Sequence, residues 1–229
     1  MLRSKIGRIC SALLLLSQAI AAESPSGLVV HWKFDEGQGD LLEDRSGNGH
    51  TGDINGSVVW ANGSFGTALH FGGKDGYVTT PAITGIDGSN ELTVEAWVLW
   101  EGGSRYPNIL TGGQWCPGGF LIFVADKTCS FRMGRPGEGP WQEASAPLVS
   151  NFETGKWYHL AATFKRPEIT TYVNGRKVGS AHWDYPVASQ GHLEIGRWGG
   201  QSCHQGLIDE IKLFHRALSA EEIEKSYAA

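Results

Sequence analysis

Residues 156–181, KWYHLAATFKRPEITTYVNGRKVGSA, constrain the fold of this chain more than any other stretch. Tyr158, Leu160, Ala162 and Phe164 share one phase of a period-2 pattern, as in a strand with a buried face. Ile169, Thr171 and Val173 keep a single phase up to Asn174-Gly175. Asn-Gly between two strand-like runs predicts a two-residue hairpin, because both turn residues must accept positive φ. The centre of the chain therefore reads as strand, turn, strand, hairpin, strand.

The rest of the chain extends this β pattern. Leu28, Val30, Trp32 and Phe34 alternate through a first strand, and a long polar loop follows to about residue 55. Short strands are predicted near 57–60, 68–71 and 76–79. Residues 92–100, LTVEAWVLW, are apolar on both phases, as in the middle of a packed sandwich. Strands follow at 108–111, 120–124 and 129–133, and then a Gly- and Pro-rich loop at 134–147. The last strand is LIDEIKLF, and Ser219 with Glu222 forms a capping box for a short terminal helix. The 229 residues include 32 Gly and 9 Trp, and many turns with large aromatics fit one jelly roll of this length.

A net charge of −5 without a Lys/Arg block leaves no footprint for nucleic acid or for an anionic membrane. Residues 1–21 are expected to be a signal peptide, with Arg3, Lys5 and Arg8 before a short apolar run and Ala19-Ile20-Ala21 as the cleavage site. The run is too short for membrane insertion. A secreted, extracytoplasmic protein with one domain over 27–229 is the expectation.

Three strings resemble laminin G-like domains of the concanavalin A-like lectin/glucanase superfamily: W-x-F-D-E-G with D-x-S-G-N-G, the W-x-H-L-A hairpin, and G-x-I-D-E-I-x-L-F-x-R-A-L-S. The resemblance covers about residues 27–226. It implies an all-β, concanavalin A-like jelly-roll sandwich of two antiparallel sheets with a short C-terminal helix. It also implies a structural calcium between the first-strand region and the last strand, mapped onto Asp35, Asp44, Asn48 and Asp209. Asp209 shares a strand phase with Leu207, Ile211 and Leu213, so it is expected to point toward an apolar side and to need a partner. That partner is either calcium or a structural network of backbone N–H groups or Arg216; both readings stay open. An EF-hand is excluded, because Asn55 occupies the place of its closing glutamate.

Three cysteines follow the leader: Cys116, Cys129 and Cys203. A turn at Asp126-Lys127 pairs Val124 with Cys129, leaving Cys116 roughly 26 Å from that pair along an extended strand, so a Cys116–Cys129 bridge is strained unless the strand folds back. Cys116 and Cys203 end matching GGQWC and GGQSC loops, so a Cys116–Cys203 disulfide with Cys129 as a buried thiol is expected. Trp115, Trp141, Arg135, Arg197, Trp198, Gln201 and His204 are the candidate ligand residues, since a sugar offers apolar faces to stack and hydroxyl edges to bond. No paired-carboxylate E-x-D-x-x-E strand, zinc-type His spacing, G-x-S-x-G or P-loop occurs. The sequence reads as a non-catalytic module binding a glycan or glycosylated surface. A protein-binding adhesion module and a glycan-active enzyme with an unfamiliar site are the alternatives.

Overall fold

The computed structural model describes residues 26–103, 105–113, 118–137, 142–188 and 191–229. In chain order the strands begin with β1 (Leu28–Trp32), β2 (Leu41–Leu42), β3 (Gly52–Asn55), β4 (Val58–Asn62), β5 (Thr67–Gly72) and β6 (Tyr77–Ala82). They continue with β7 (Glu91–Trp100), β8 (Asn108–Gly112), β9 (Gly119–Ala125), β10 (Thr128–Gly134) and β11 (Glu143–Val149). The last are β12 (Trp157–Lys165), β13 (Glu168–Val173), β14 (Arg176–His182), β15 (His192–Ile195) and β16 (Gln205–Phe214), before the helix α1 (Ala220–Ala228).

Two antiparallel sheets result. One runs β14-β13-β12-β7-β16-β5-β4, with β1 also on β16; the other runs β11-β10-β9-β8-β15-β6-β3-β2. The expected sandwich with a terminal helix is what forms. Between the sheets Trp32, Phe34, Phe71, Phe120, Phe131, Phe152 and Phe164 are fully buried, each contributing about 1.5–3 kcal/mol. Asn174 and Gly175 both take positive φ (49° and 76°), as the hairpin requires. The Asp126-Lys127 turn does the same and sets Val124 opposite Cys129, which is a buried free thiol.

Strand β16 organises its sheet. One side pairs with β7; the other pairs first with β5 (Gln205 to Ile208) and then with β1 (Ile211 to Phe214). The changeover falls at Glu210, whose φ is +48° and where the register with β7 slips. This bulge corrects the expected phase of Asp209. Ile208, Ile211 and Leu213 all join the core, because the extra residue switches the inward phase. Asp209, next to Ile208, lies on the opposite face across from Trp97.

The other phase of β12 is also covered. Ala161, Tyr172 and Phe214 pack with Leu218 and Ile223 beneath α1. The capping box forms: Ser219 Oγ accepts from Glu222 N, and Glu222 accepts from Ser219 N at 2.8 Å. Arg216 grips the same carboxylate at 2.9 and 2.6 Å, holding Glu222 down to about 2. Two regions read as loops are strands. The long polar loop contains β2 and β3, and β11 falls in the Gly/Pro-rich stretch. The inward residues of β11 are Ala144, Ala146 and Leu148, too small to mark a phase, and as an edge strand it tolerates Pro147.

Candidate functional site

The outward phase of β9 carries Leu121, Phe123 and Ala125, while Phe120, Ile122 and Val124 enter the core. Leu121 and Phe123 are nonetheless only 4% and 8% exposed. Arg132 from β10 lies over the Phe123 ring at 4.2 Å and donates to Glu143 at 3.1 Å. Tyr106 and Trp198 close the surroundings from two loops, leaving a cavity of about 290 Å³ whose lining is mostly apolar.

Trp198 stands on a tight turn. Gly199 and Gly200 take φ of 55° and 75°, and Trp198 and Gln201 exchange backbone hydrogen bonds at 3.1 and 3.0 Å. Glu194 braces the turn, accepting from Gly199 N at 3.2 Å and from Arg197 Nε and a terminal nitrogen at 3.0 and 2.9 Å. Arg197 also lies 3.0 Å above the Tyr77 ring. Trp198 also lines a second cavity of about 330 Å³, with Thr111, Gly113, His192, Glu194, Gly199 and Gln201, which offers more hydrogen-bonding groups. Trp198 is thus common to a mostly apolar cavity and to a more polar one.

The candidate ligand residues divide. Trp198 and Gln201 meet at these cavities. Arg197 supports the turn through Glu194 and Tyr77. His204 is enclosed against Phe71, and burial drives its imidazole down to about 4. The chain turns inward at Cys203 to start β16, which removes His204 from the rim. Arg135 instead stacks over Tyr185 at 5.2 Å, in a separate open cleft with Gln142, Trp183 and Asp184. Trp115, Trp141 and Cys116 lie outside the described residues. Tyr106, Leu121, Phe123, Arg132, His192 and Glu194 were missed. In FLIFVA both phases are apolar, so the sequence does not say which one faces away from the core.

A family model described as the concanavalin A-like lectin/glucanases superfamily matches residues 71–224. The chain belongs to that superfamily. A search of curated proteins returns no significant match. Among solved structures of this fold, one similar to the chain is domain 4 of AbnA, a GH43 extracellular arabinanase from Geobacillus stearothermophilus, solved in complex with arabinotriose. It has a TM-score of 0.70 and 22% identity, over 86% of this chain and 97% of that domain. The binding domain of Paraclostridial Mosquitocidal Protein 1 gives 0.72 and 16%, over 88% of this chain and 52% of that one. That of botulinum neurotoxin DC in complex with SialylT gives 0.67 and 13%, over 89% and 51%. The chain spans about half the length of these toxin binding domains.

The calcium set implied by the superfamily resemblance is distributed over two places. Asp44 accepts from His31 N (3.1 Å), Ser46 N (2.9 Å), His50 N (3.0 Å) and, at 3.3 Å, His50 Nδ1. Asn48 donates to the Leu28 and Val29 carbonyls. These two pin the polar loop to β1, Asp44 through both carboxylate oxygens and Asn48 through its amide nitrogen. Asp35 and Asp209 meet a different loop, residues 63–67. Asp209 Oδ2 accepts from Ser64 N and Phe65 N at 2.9 and 3.1 Å, and a Cβ on Gly66 would collide with Asp35 Oδ1. Asp209 Oδ1 is buried without a donor, and burial lifts this carboxyl to about 7. Arg216, the other suggested partner, is engaged with Glu222. Among the described residues no three His, Cys, Asp or Glu side chains gather as a metal group. The four expected ligands therefore do not gather in one place: Asp35 Oδ2 pairs with Lys33 at 3.3 Å, and Asp209 Oδ1 is left without a donor.

Cys203 carries a free thiol that donates to the Lys74 carbonyl at 2.9 Å, so the expected bridge is not formed in this structure. No helix among the described residues is long and apolar enough to cross a membrane.

Proposed function

We propose that this chain is an exported, non-catalytic module that binds a glycan at the Trp198 turn. One observation carries the reading: a half-buried indole on a braced turn lines both a mostly apolar cavity and one richer in hydrogen-bonding groups. A sugar chain needs that pairing, because each residue has C–H faces to stack and hydroxyls to satisfy. Relatives of the fold solved with arabinotriose and with SialylT are consistent with it. Glu194 is the one carboxylate among the described lining residues, and it is held by Arg197. Glycoside hydrolysis needs two carboxyl groups flanking the bond. Glu95, in the middle of β7, is 1% exposed beneath α1. A glycan array followed by calorimetry tests the proposal. Binding lost in Trp198→Ala with the fold retained supports it; silence of the wild type across the array overturns it.

We further propose calcium as a structural ion at the 63–67 loop, held by Asp35 and Asp209, with Asp44 and Asn48 outside its shell. The undonated Asp209 Oδ1 supports this. A hard cation there would neutralise a buried carboxylate and join the first strand region to the last. Millimolar Ca²⁺ should then raise the melting temperature over EDTA, and Asp209→Asn should remove the shift while Asn48→Ala keeps it. No shift in the wild type would overturn the ion.

A further inference from the structure

We infer that the glycan taken by the Trp198 turn carries an acetyl group, with the acetylated residue in the apolar cavity and its bare neighbour in the polar one. The inference rests on the glycan reading above.

The two cavities are of similar size, about 290 and 330 Å³, each holding roughly ten waters' worth of space. Either can take one sugar residue with its substituent. Their chemistry is unequal. The polar side offers Thr111, His192, Glu194 and Gln201, which can donate to and accept from hydroxyls in several directions. The apolar side is floored by Leu121, Phe123 and Ala125 and walled by Tyr106 and Trp198. Asn108 and Ser202 also line it; Asn108 Nδ2 is spent on the Tyr106 carbonyl at 3.2 Å and its Oδ1 can take one hydroxyl, so most hydroxyls of an unsubstituted sugar would still lose their water without replacement, which disfavours that occupant.

A substituent with an apolar end avoids this loss. A bare methyl would use the floor and draw nothing from Arg132, which lines the same cavity. An acetyl group uses both: its methyl lies on Leu121, Phe123 and Ala125, and its carbonyl accepts from a guanidinium, which only donates. Arg132 is held for this, stacked on Phe123 and tied to Glu143. A carboxylate would meet Arg132 too, but it would give up its hydration over an apolar floor already facing the Glu143 charge. The acetyl group can be an O-acetyl ester or an acetamide; both present the same methyl and carbonyl.

The experiment measures binding to paired ligands that differ in the acetyl group. O-acetylated xylan is compared with the same polymer after mild alkaline deacetylation, and N,N′,N″-triacetylchitotriose with cellotriose. A methyl-sized group in a fitted hydrophobic pocket changes affinity by roughly 10- to 200-fold, so at least one acetylated ligand should bind about tenfold or more tightly than its bare partner. The first pair answers for the ester and the second for the acetamide. Ala125→Arg, filling the apolar cavity, and Tyr106→Ala, opening its wall, should each bring that ratio toward one. Melting curves confirm that both variants fold. Acetylated and bare partners binding equally overturn the inference and leave the glycan reading standing. A ratio that survives both variants overturns the assignment to this cavity. No binding by these or by any glycan on the array takes the underlying reading down with it.

Discussion

The two sheets each give one face to the shared core, and their outward faces differ. Behind the first sheet, Thr93, Glu95, Ala161 and Phe214 are sealed by the chain's own end. Leu218 N donates to Thr93 Oγ1 at 2.9 Å, Ser226 Oγ donates to Glu95 at 2.8 Å, and Ile223 fills the space between. Behind the second sheet, Leu121 and Phe123 are as apolar as anything beneath the helix, yet among the described residues it is side chains and a turn that stand over them. An outward apolar phase is thus not a site in itself. On the proposed reading it becomes one where, among the described residues, side chains and a turn with firmly held polar groups stand in place of a helix.

Mutations should separate the covered face from the open one. The largest effect is expected at Ile223, fully buried under α1: Ile223→Ala should lose about 2–4 kcal/mol of unfolding free energy in urea, with glycan affinity unchanged. A loss below about 1 kcal/mol would show that the helix is a loose appendage. Ser219→Ala removes one half of the capping box and should cost about 1 kcal/mol; equal stability would mean the Arg216–Glu222 pair alone fixes the helix start.

The pH profile is a subtler probe of the covered face. Burial lifts Asp209 to about 7 and Glu95 to about 6. Both acids are protonated more readily folded than unfolded, so their contribution is full below about pH 4 and is lost as pH rises through 6 to 7. Burial depresses His159 to about 3 and His204 to about 4. These imidazoles stay neutral in the fold while the unfolded chain takes up protons below about pH 6.5. Their contribution is therefore full above that pH and is lost on acidification. Between about pH 4.5 and 6 the two trends oppose, and wild-type stability should be nearly flat. Asp209→Asn should expose the histidine slope, with stability rising with pH over that window in calcium-free buffer. An unchanged flat profile would remove Asp209 from the balance.

The smallest stability effect belongs to the open face. Trp198→Ala should cost under about 1 kcal/mol, in contrast with its loss of binding. A large stability loss would turn Trp198 into a packing residue and blur the distinction between the faces.

Much of this architecture was legible because it is local. The Asn174-Gly175 hairpin, the Asp126-Lys127 turn that sets Val124 opposite Cys129, and the Ser219–Glu222 capping box each depend on a few consecutive residues whose backbone chemistry admits one arrangement. The alternation around Tyr158 and Leu160 likewise needs only a pleat. The site was less legible. Trp198 and Gln201 could be named from their GG turn, but His204, two residues beyond Ser202, enters the core, and Arg135 goes to a different cleft.

What the sequence by itself determined is the strand and turn grammar of a two-layer sandwich and the residues of its last helix. What only the tertiary structure decided is which side of each strand faces what. One extra residue at Glu210 moved Asp209 to the other face, and the path of α1 covered one outward surface and not the other. The reason is physical. Period and turn type come from neighbouring dihedral angles, whereas the fate of a face depends on contacts between residues more than a hundred positions apart, such as Glu95 and Ser226.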